Sequence, residues 1–254
     1  MIKLKTFGSF TVGNGLTSVQ EGAWRSEKLE KLFVYLAMNR NRGVCIEDIS
    51  EAIWQVEEET DNPVGALKNL AYRLRKALRD ASFGEECIVS VRGGLYKWND
   101  DVEVTIDVEE FDRYINEAEM AFCRSKETAI ESYEKAIALY HGDFLPLRTD
   151  THWFMTLNAF YHSRYVNTVK ALAKLYIDTG CYEKLEQLCT RAIVYERSDE
   201  QIYSYLIVAR MRTKKVQMAF DTYETAKAIM DKDLGVRKTV MLNKVYEEDR
   251  KSVV

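Results

Sequence analysis

From Asp107 nearly to its end, the chain sets apolar residues three and four apart almost without a break. No other feature restricts the fold so strongly. The windows "FDRYINEAEMAF", "KETAIESYEKAIALY", "SRYVNTVKALAKLYIDTG", "YEKLEQLCTRAIVYE", "DEQIYSYLIVARMRT", "VQMAFDTYETAKAIMDKDLG" and "RKTVMLNKVYEEDRK" each suit a helix. Proline would interrupt such a series, and the whole sequence holds two. Gly180, Gly235 and Asp-rich ends mark the turns between windows. Within the series Tyr182, Leu185 and Ala192 recur 34 residues later as Val216, Ala219 and Ala226.

That period is the one of tetratricopeptide repeats, in which small residues let paired helices pack closely. Residues 106–254 are therefore expected to form a tetratricopeptide-like all-α domain. Residues 1–105 read differently. "KLKTFGSFTV" gives two short β-rich runs broken at Gly8. "WRSEKLEKLFVYLAMNRNRG" follows, with Leu29, Leu32, Phe33, Leu36 and Ala37 at helical spacing, Ser26 as N-cap, and Asn39, Asn41 and Gly43 at its end. "IEDISEAIW" is a short helix, and "CIVSVRGGLYKW" a β-hairpin around Gly93 and Gly94. Residues 101–110 read as the join. The expected fold is mainly α, with a small α+β N-terminal domain of winged helix-turn-helix type.

Between the acidic connector "QVEEETDNP" and the hairpin lies "GALKNLAYRLRKALRD". At 100° per residue, Leu67, Leu70, Ala71, Leu74, Ala77 and Leu78 share one face. Lys68, Asn69, Tyr72, Arg75, Lys76 and Arg79 share the other, with Arg73 at its margin. From Asn62 to Arg79 there is no acid, although the whole chain has a formal net charge of −4. A solvated helix face normally mixes signs, because acid–base pairs one turn apart support it. An acid-free cationic face points instead to phosphates.

The motifs "WRSEKLEKLFVYLA", "EAIW", "YRLRKALRD", "VSVRGGLY" and "AFDTYETAKAIMDKDLG" occur in the order and spacing of a known family. The chain resembles the Streptomyces antibiotic regulatory proteins (SARP family), an OmpR-type winged helix followed by a bacterial transcriptional activator domain. The resemblance implies a sequence-specific, DNA-binding activator that recruits RNA polymerase at direct-repeat sites. It implies that Arg73, Arg75 and Lys76 meet phosphates and base edges and that Asn69 and Tyr72 face the major groove; Lys68 is a further DNA-binding candidate from its place on the same cationic face. It further implies a phosphate contact for the Trp54 indole, a backbone contact for Ser90 and a minor-groove role for Arg92. In OmpR-type proteins the loop matching "VEEETD" can touch polymerase, which would place Glu57, Glu58 and Glu59 there. The wing departs from the family's Arg-Gly-x-Gly-Tyr: Arg92-Gly93-Gly94-Leu95-Tyr96 brings the second glycine one position forward. A turn that needed a positive φ at the later position would strain Leu95.

Other chemistries find little footing. Cys45, Cys87, Cys123, Cys181 and Cys189 form no CxxC pair, and His152 and His162 are too far apart to share a helical face as metal ligands. No phosphate loop, nucleophile motif or paired-carboxylate site is visible, so no cofactor and no enzyme is expected. No apolar run approaches the length of a membrane span, and the start lacks a signal-peptide core, so a cytoplasmic protein is expected. "HWFMTLNAFYHSRY" reads as helix-packing core in preference to a ligand pocket. The expected partners are double-stranded DNA, RNA polymerase and a second protomer on the DNA. The alternative is a helical-repeat scaffold whose winged domain serves protein contacts.

Overall fold

Ile2 and Leu4 point inward between exposed Lys3 and Lys5, and this alternation makes the first strand of a four-stranded sheet. In the computed structural model, which describes residues 1–54, 62–83, 87–91, 94–146, 148, 150–234 and 242, β1 (Ile2–Lys5) pairs antiparallel with β2 (Thr11–Gly13). β2 pairs with β3 (Ser18–Gln20), and β1 pairs parallel with β6 (Val104–Ile106), giving the order β3-β2-β1-β6. The break expected at Gly8 is real: its φ is +80° and its N–H donates to the Asp143 carbonyl. β6 falls within the stretch read as a join. Directly after it, the buried Asp107 carboxylate accepts from the Thr6 and Phe7 N–H groups and the Thr6 hydroxyl, at 2.6–3.0 Å.

Three helices follow the first three strands: α1 (Glu27–Met38), α2 (Ile46–Ile53) and α3 (Pro63–Asp80), and each packs on the other two. Ser26 holds the N-cap position of α1, without a side-chain cap bond. Next come β4 (Ile88–Val91) and β5 (Leu95–Trp98), an antiparallel hairpin. Val44, between α1 and α2, bridges to Tyr96 through two backbone hydrogen bonds of 2.8 and 2.9 Å. Three helices closed by a hairpin that returns to the first turn is the expected winged-helix arrangement. Its core is aromatic: Phe33 meets Phe10, Trp24 and Trp98 edge-on, with centroids 5.4–6.2 Å apart.

The remaining helices are α4 (Asp107–Ala121), α5 (Lys126–Leu139), α6 (His152–Asp178), α7 (Tyr182–Tyr195), α8 (Glu200–Arg212) and α9 (Val216–Leu234). Contacts divide the chain into two compact units, Met1–Arg113 with Leu139–His162, and Tyr114–Ala138 with Ser163–Val254. That division is not a single cut at 105/106. Residues 139–162 are fastened to the first unit by an antiparallel bridge of Phe144 to Phe7 and by Leu145 N–H donating to the Thr6 carbonyl. Arg148 pairs there with Glu30 and lies 3.3 Å from Glu21.

In the second unit α7 packs on α8 and α8 on α9. The 34-residue recurrence holds: Leu185 and Ala219 are buried, as are Ala192 and Ala226. The turns repeat as well. Cys181 N–H donates to the Tyr176 carbonyl and Lys215 N–H to that of Arg210, both at 2.8 Å. The Thr179 and Thr213 hydroxyls donate four residues back, to Leu175 and Ala209. Gly180 and Lys214 each hold a positive φ, +71° and +61°. Two copies of one helix-turn unit, alike in these hydrogen bonds, make this a tetratricopeptide-like array.

Candidate nucleic-acid interface

α3 starts sharply because Pro63 sits in its first turn and the Asn62 side chain accepts from Gly65 N–H at 2.9 Å. Leu67, Leu70, Ala71, Leu74 and Leu78 are buried, which anchors one side of the helix against α1 and α2. Lys68, Asn69, Tyr72, Arg73, Lys76 and Arg79 are exposed on the other side. Tyr72, at 64% exposure, is a large ring left in solvent. The one acid of the helix is its last residue, Asp80. Lys68, Arg73 and Lys76 have no ion pair with any described residue. Among the described residues nothing compensates their charge.

Arg75 differs from its neighbours. It is half-buried, and its Nε donates to the Ile88 carbonyl on β4 at 3.0 Å. It also faces Tyr96, whose phenol burial pushes up while the Arg75 charge pulls it down. Arg75 thus ties the helix to the hairpin, a role that no local pattern announces because Ile88 lies 13 residues on. Trp54 caps the end of α2, half-buried, with the Lys28 ammonium 5.8 Å from its ring. That cation beside the indole was not foreseen, since nothing in local spacing relates positions 28 and 54.

In the hairpin, Ser90 pairs with Tyr96. Gly94 carries the positive φ, +80°, and Leu95 is already the first residue of β5. The displaced glycine therefore stands where the turn needs it, and Leu95 escapes the strain. The Ser90 side chain, Arg92, and Glu57, Glu58 and Glu59 lie outside the described residues. The structure thus gathers Lys68, Asn69, Tyr72, Arg73 and Lys76 on one exposed face and assigns Arg75 to the hairpin contact.

Residues 106–248 match the family described as the bacterial transcriptional activator domain. Transcriptional regulator RedD of Streptomyces coelicolor is 23% identical over 235 residues, covering 91% of this chain and 66% of RedD. Among solved structures, Mycobacterium tuberculosis EmbR in complex with a low-affinity phosphopeptide superposes with a TM-score of 0.74 at 19% identity, over 99% of this chain and 65% of that one. The chain shares the fold of EmbR and spans just under two thirds of the length of both proteins. Among the described residues no helix is long and apolar enough to cross a membrane.

Proposed function

Because this chain belongs to the bacterial transcriptional activator domain family, we propose that it is a transcriptional regulator of SARP type that binds double-stranded DNA by laying α3 in the major groove. One observation carries the reading: a firmly anchored helix exposes Lys68, Asn69, Tyr72, Arg73 and Lys76 with no acid among them. Lys68 and Arg79 stand about 16 Å apart along the helix axis. The groove is about 12 Å wide, so cations toward the two ends of α3 can reach phosphates on opposite walls. Asn69 and Tyr72, between them, meet base edges: Asn presents paired donor and acceptor atoms to adenine, and Tyr contributes ring area and a hydroxyl. Trp54 adds an indole N–H toward the backbone, Ser90 a second contact, and Arg92 enters the minor groove beside it.

Residues 1–105 are the DNA-binding part in this reading, and residues 106–254 the part through which protomers or polymerase are engaged. Glu57, Glu58 and Glu59, which would be repelled by phosphates, face polymerase. The protein activates transcription in the cytoplasm from sites arranged as direct repeats. Footprinting on DNA flanking its own gene tests the proposal. Two protected stretches in the same orientation, about one helical turn apart, are expected. Absence of protection at any concentration that retards the same fragment in a gel would leave only non-specific binding.

A further inference from the structure

A groove of about 450 Å³ opens in the first unit, lined by Tyr35 of α1, Arg42 of the following turn, Asp48, Glu51 and Ala52 of α2, and the first turns of α6. Its volume lies within the range of small-molecule sites. Tyr35 forms its inner wall. The residue is 4% exposed, and its ring meets that of Trp153 edge-on at 4.9 Å. Its hydroxyl makes no hydrogen bond to any described residue. The ring is enclosed, whereas the hydroxyl is not among the fully buried unpaired atoms and so opens to the groove, where a ligand can reach it.

The charge at the mouth is net negative. Asp48 and Glu51 are exposed, one turn apart on α2. Against these two carboxylates stands one guanidinium, Arg42, whose Nε and Nη2 both donate to the neutral Asn39 side chain, at 3.2 and 3.0 Å. The Tyr35 phenol registers this field. Burial pushes its pKa up, Asp48 and Glu51 add to the rise, and Arg42 opposes it. The hydroxyl therefore stays protonated, with oxygen lone pairs available to a donor. Ala52, Leu157 and Trp153 give the groove an apolar wall beside this polar mouth.

We propose that this groove is a binding site for a small organic amine, with its apolar body against Trp153 and Leu157 and its ammonium between Asp48, Glu51 and the Tyr35 hydroxyl. The inference does not depend on the DNA-binding reading. It places a charged aromatic-sided pocket against α1 and α2, the helices on which α3 rests.

Calorimetric titration of the full chain with phenethylamine, 2-phenylethanol and phenylacetate tests it, because the three share one body and differ in charge. The amine should bind saturably and at least about tenfold more tightly than the alcohol, with phenylacetate weakest, a gap of about 1.4 kcal/mol at that ratio. Asp48→Asn and Glu51→Gln should each narrow the gap between amine and alcohol. Tyr35→Phe should weaken amine binding several-fold while leaving the thermal midpoint unchanged, since the hydroxyl it removes has no partner among the described residues. Equal binding of all three probes, or a preference for phenylacetate at Arg42 and His152, overturns the proposal. So does a lack of saturation by phenethylamine up to about 10 mM, which is weaker than any useful site of this size.

Discussion

Arg75 and Lys76 are neighbours in sequence and stand in different surroundings. Arg75 donates to Ile88 across a half-buried junction, whereas Lys76 stands in solvent. Lys76→Ala should leave the unfolding midpoint unchanged and lower affinity for specific and non-specific DNA together. The salt slope should fall by about one for the lost phosphate contact. Arg75→Ala should loosen the hairpin and cost stability of about 1 kcal/mol, the net worth of an ordinary hydrogen bond. Denaturant unfolding and DNA titration of the two variants separate these outcomes. Helical spacing places both residues on the cationic face. Helical phase gives the side of the helix, and a partner on a later strand does not show in it. Tyr35 was concealed for the same reason: Trp153 is brought beside it from more than a hundred positions away. The stretch "HWFMTLNAFYHSRY" accordingly serves two ends, with Phe154, Tyr161 and Tyr165 in the interior and Trp153 on the groove.

Elements with strong local signals were legible. The apolar stripe of α3, its capping Asn62 and the strand pair around Gly94 are found where periodicity and turn chemistry put them. β3 and β6 were missed, as three-residue strands whose partners are supplied by the sheet. β6 pairs parallel to β1 across about a hundred residues, and nothing in "DVEVTIDVEE" announces that partner. In the second unit the 34-residue period is visible in Leu185, Ala192, Ala219 and Ala226, and Gly180 marks one turn, while the matching turn at Lys214 is not visible. Lys214 occupies a left-handed conformation that Gly180 occupies one repeat earlier, and lysine does not advertise such a position. Lys214→Gly should therefore raise stability by up to about 1 kcal/mol. Gly180→Ala should lower it by about as much, although a Cβ there would meet no atom within 4 Å. Paired thermal melts of the two variants check both signs. A Lys214→Gly protein less stable than the parent would mean that its side chain, not its backbone, dominates that turn.

At the scale of the whole molecule, one α3 in one major groove is a small interface for tight regulation. Two protomers side by side on direct repeats supply the rest. Inserting about 5 bp between footprinted repeats turns one half-site to the opposite face of the duplex and should abolish cooperative binding, whereas about 10 bp restores the face and stretches the contact. Parental binding with both spacers would show protomers that act alone. Whether the acid-free face of α3 meets phosphates is decided by titrating labelled duplex DNA between about 50 and 200 mM salt with the wild-type chain and with Lys68, Arg73 and Lys76 all changed to Ala. Wild-type affinity should fall roughly a hundredfold or more over that range, and the log–log slope of the triple variant should be shallower by about two to three. A variant that binds with the wild-type slope, or a wild type indifferent to salt, would contradict the phosphate contact.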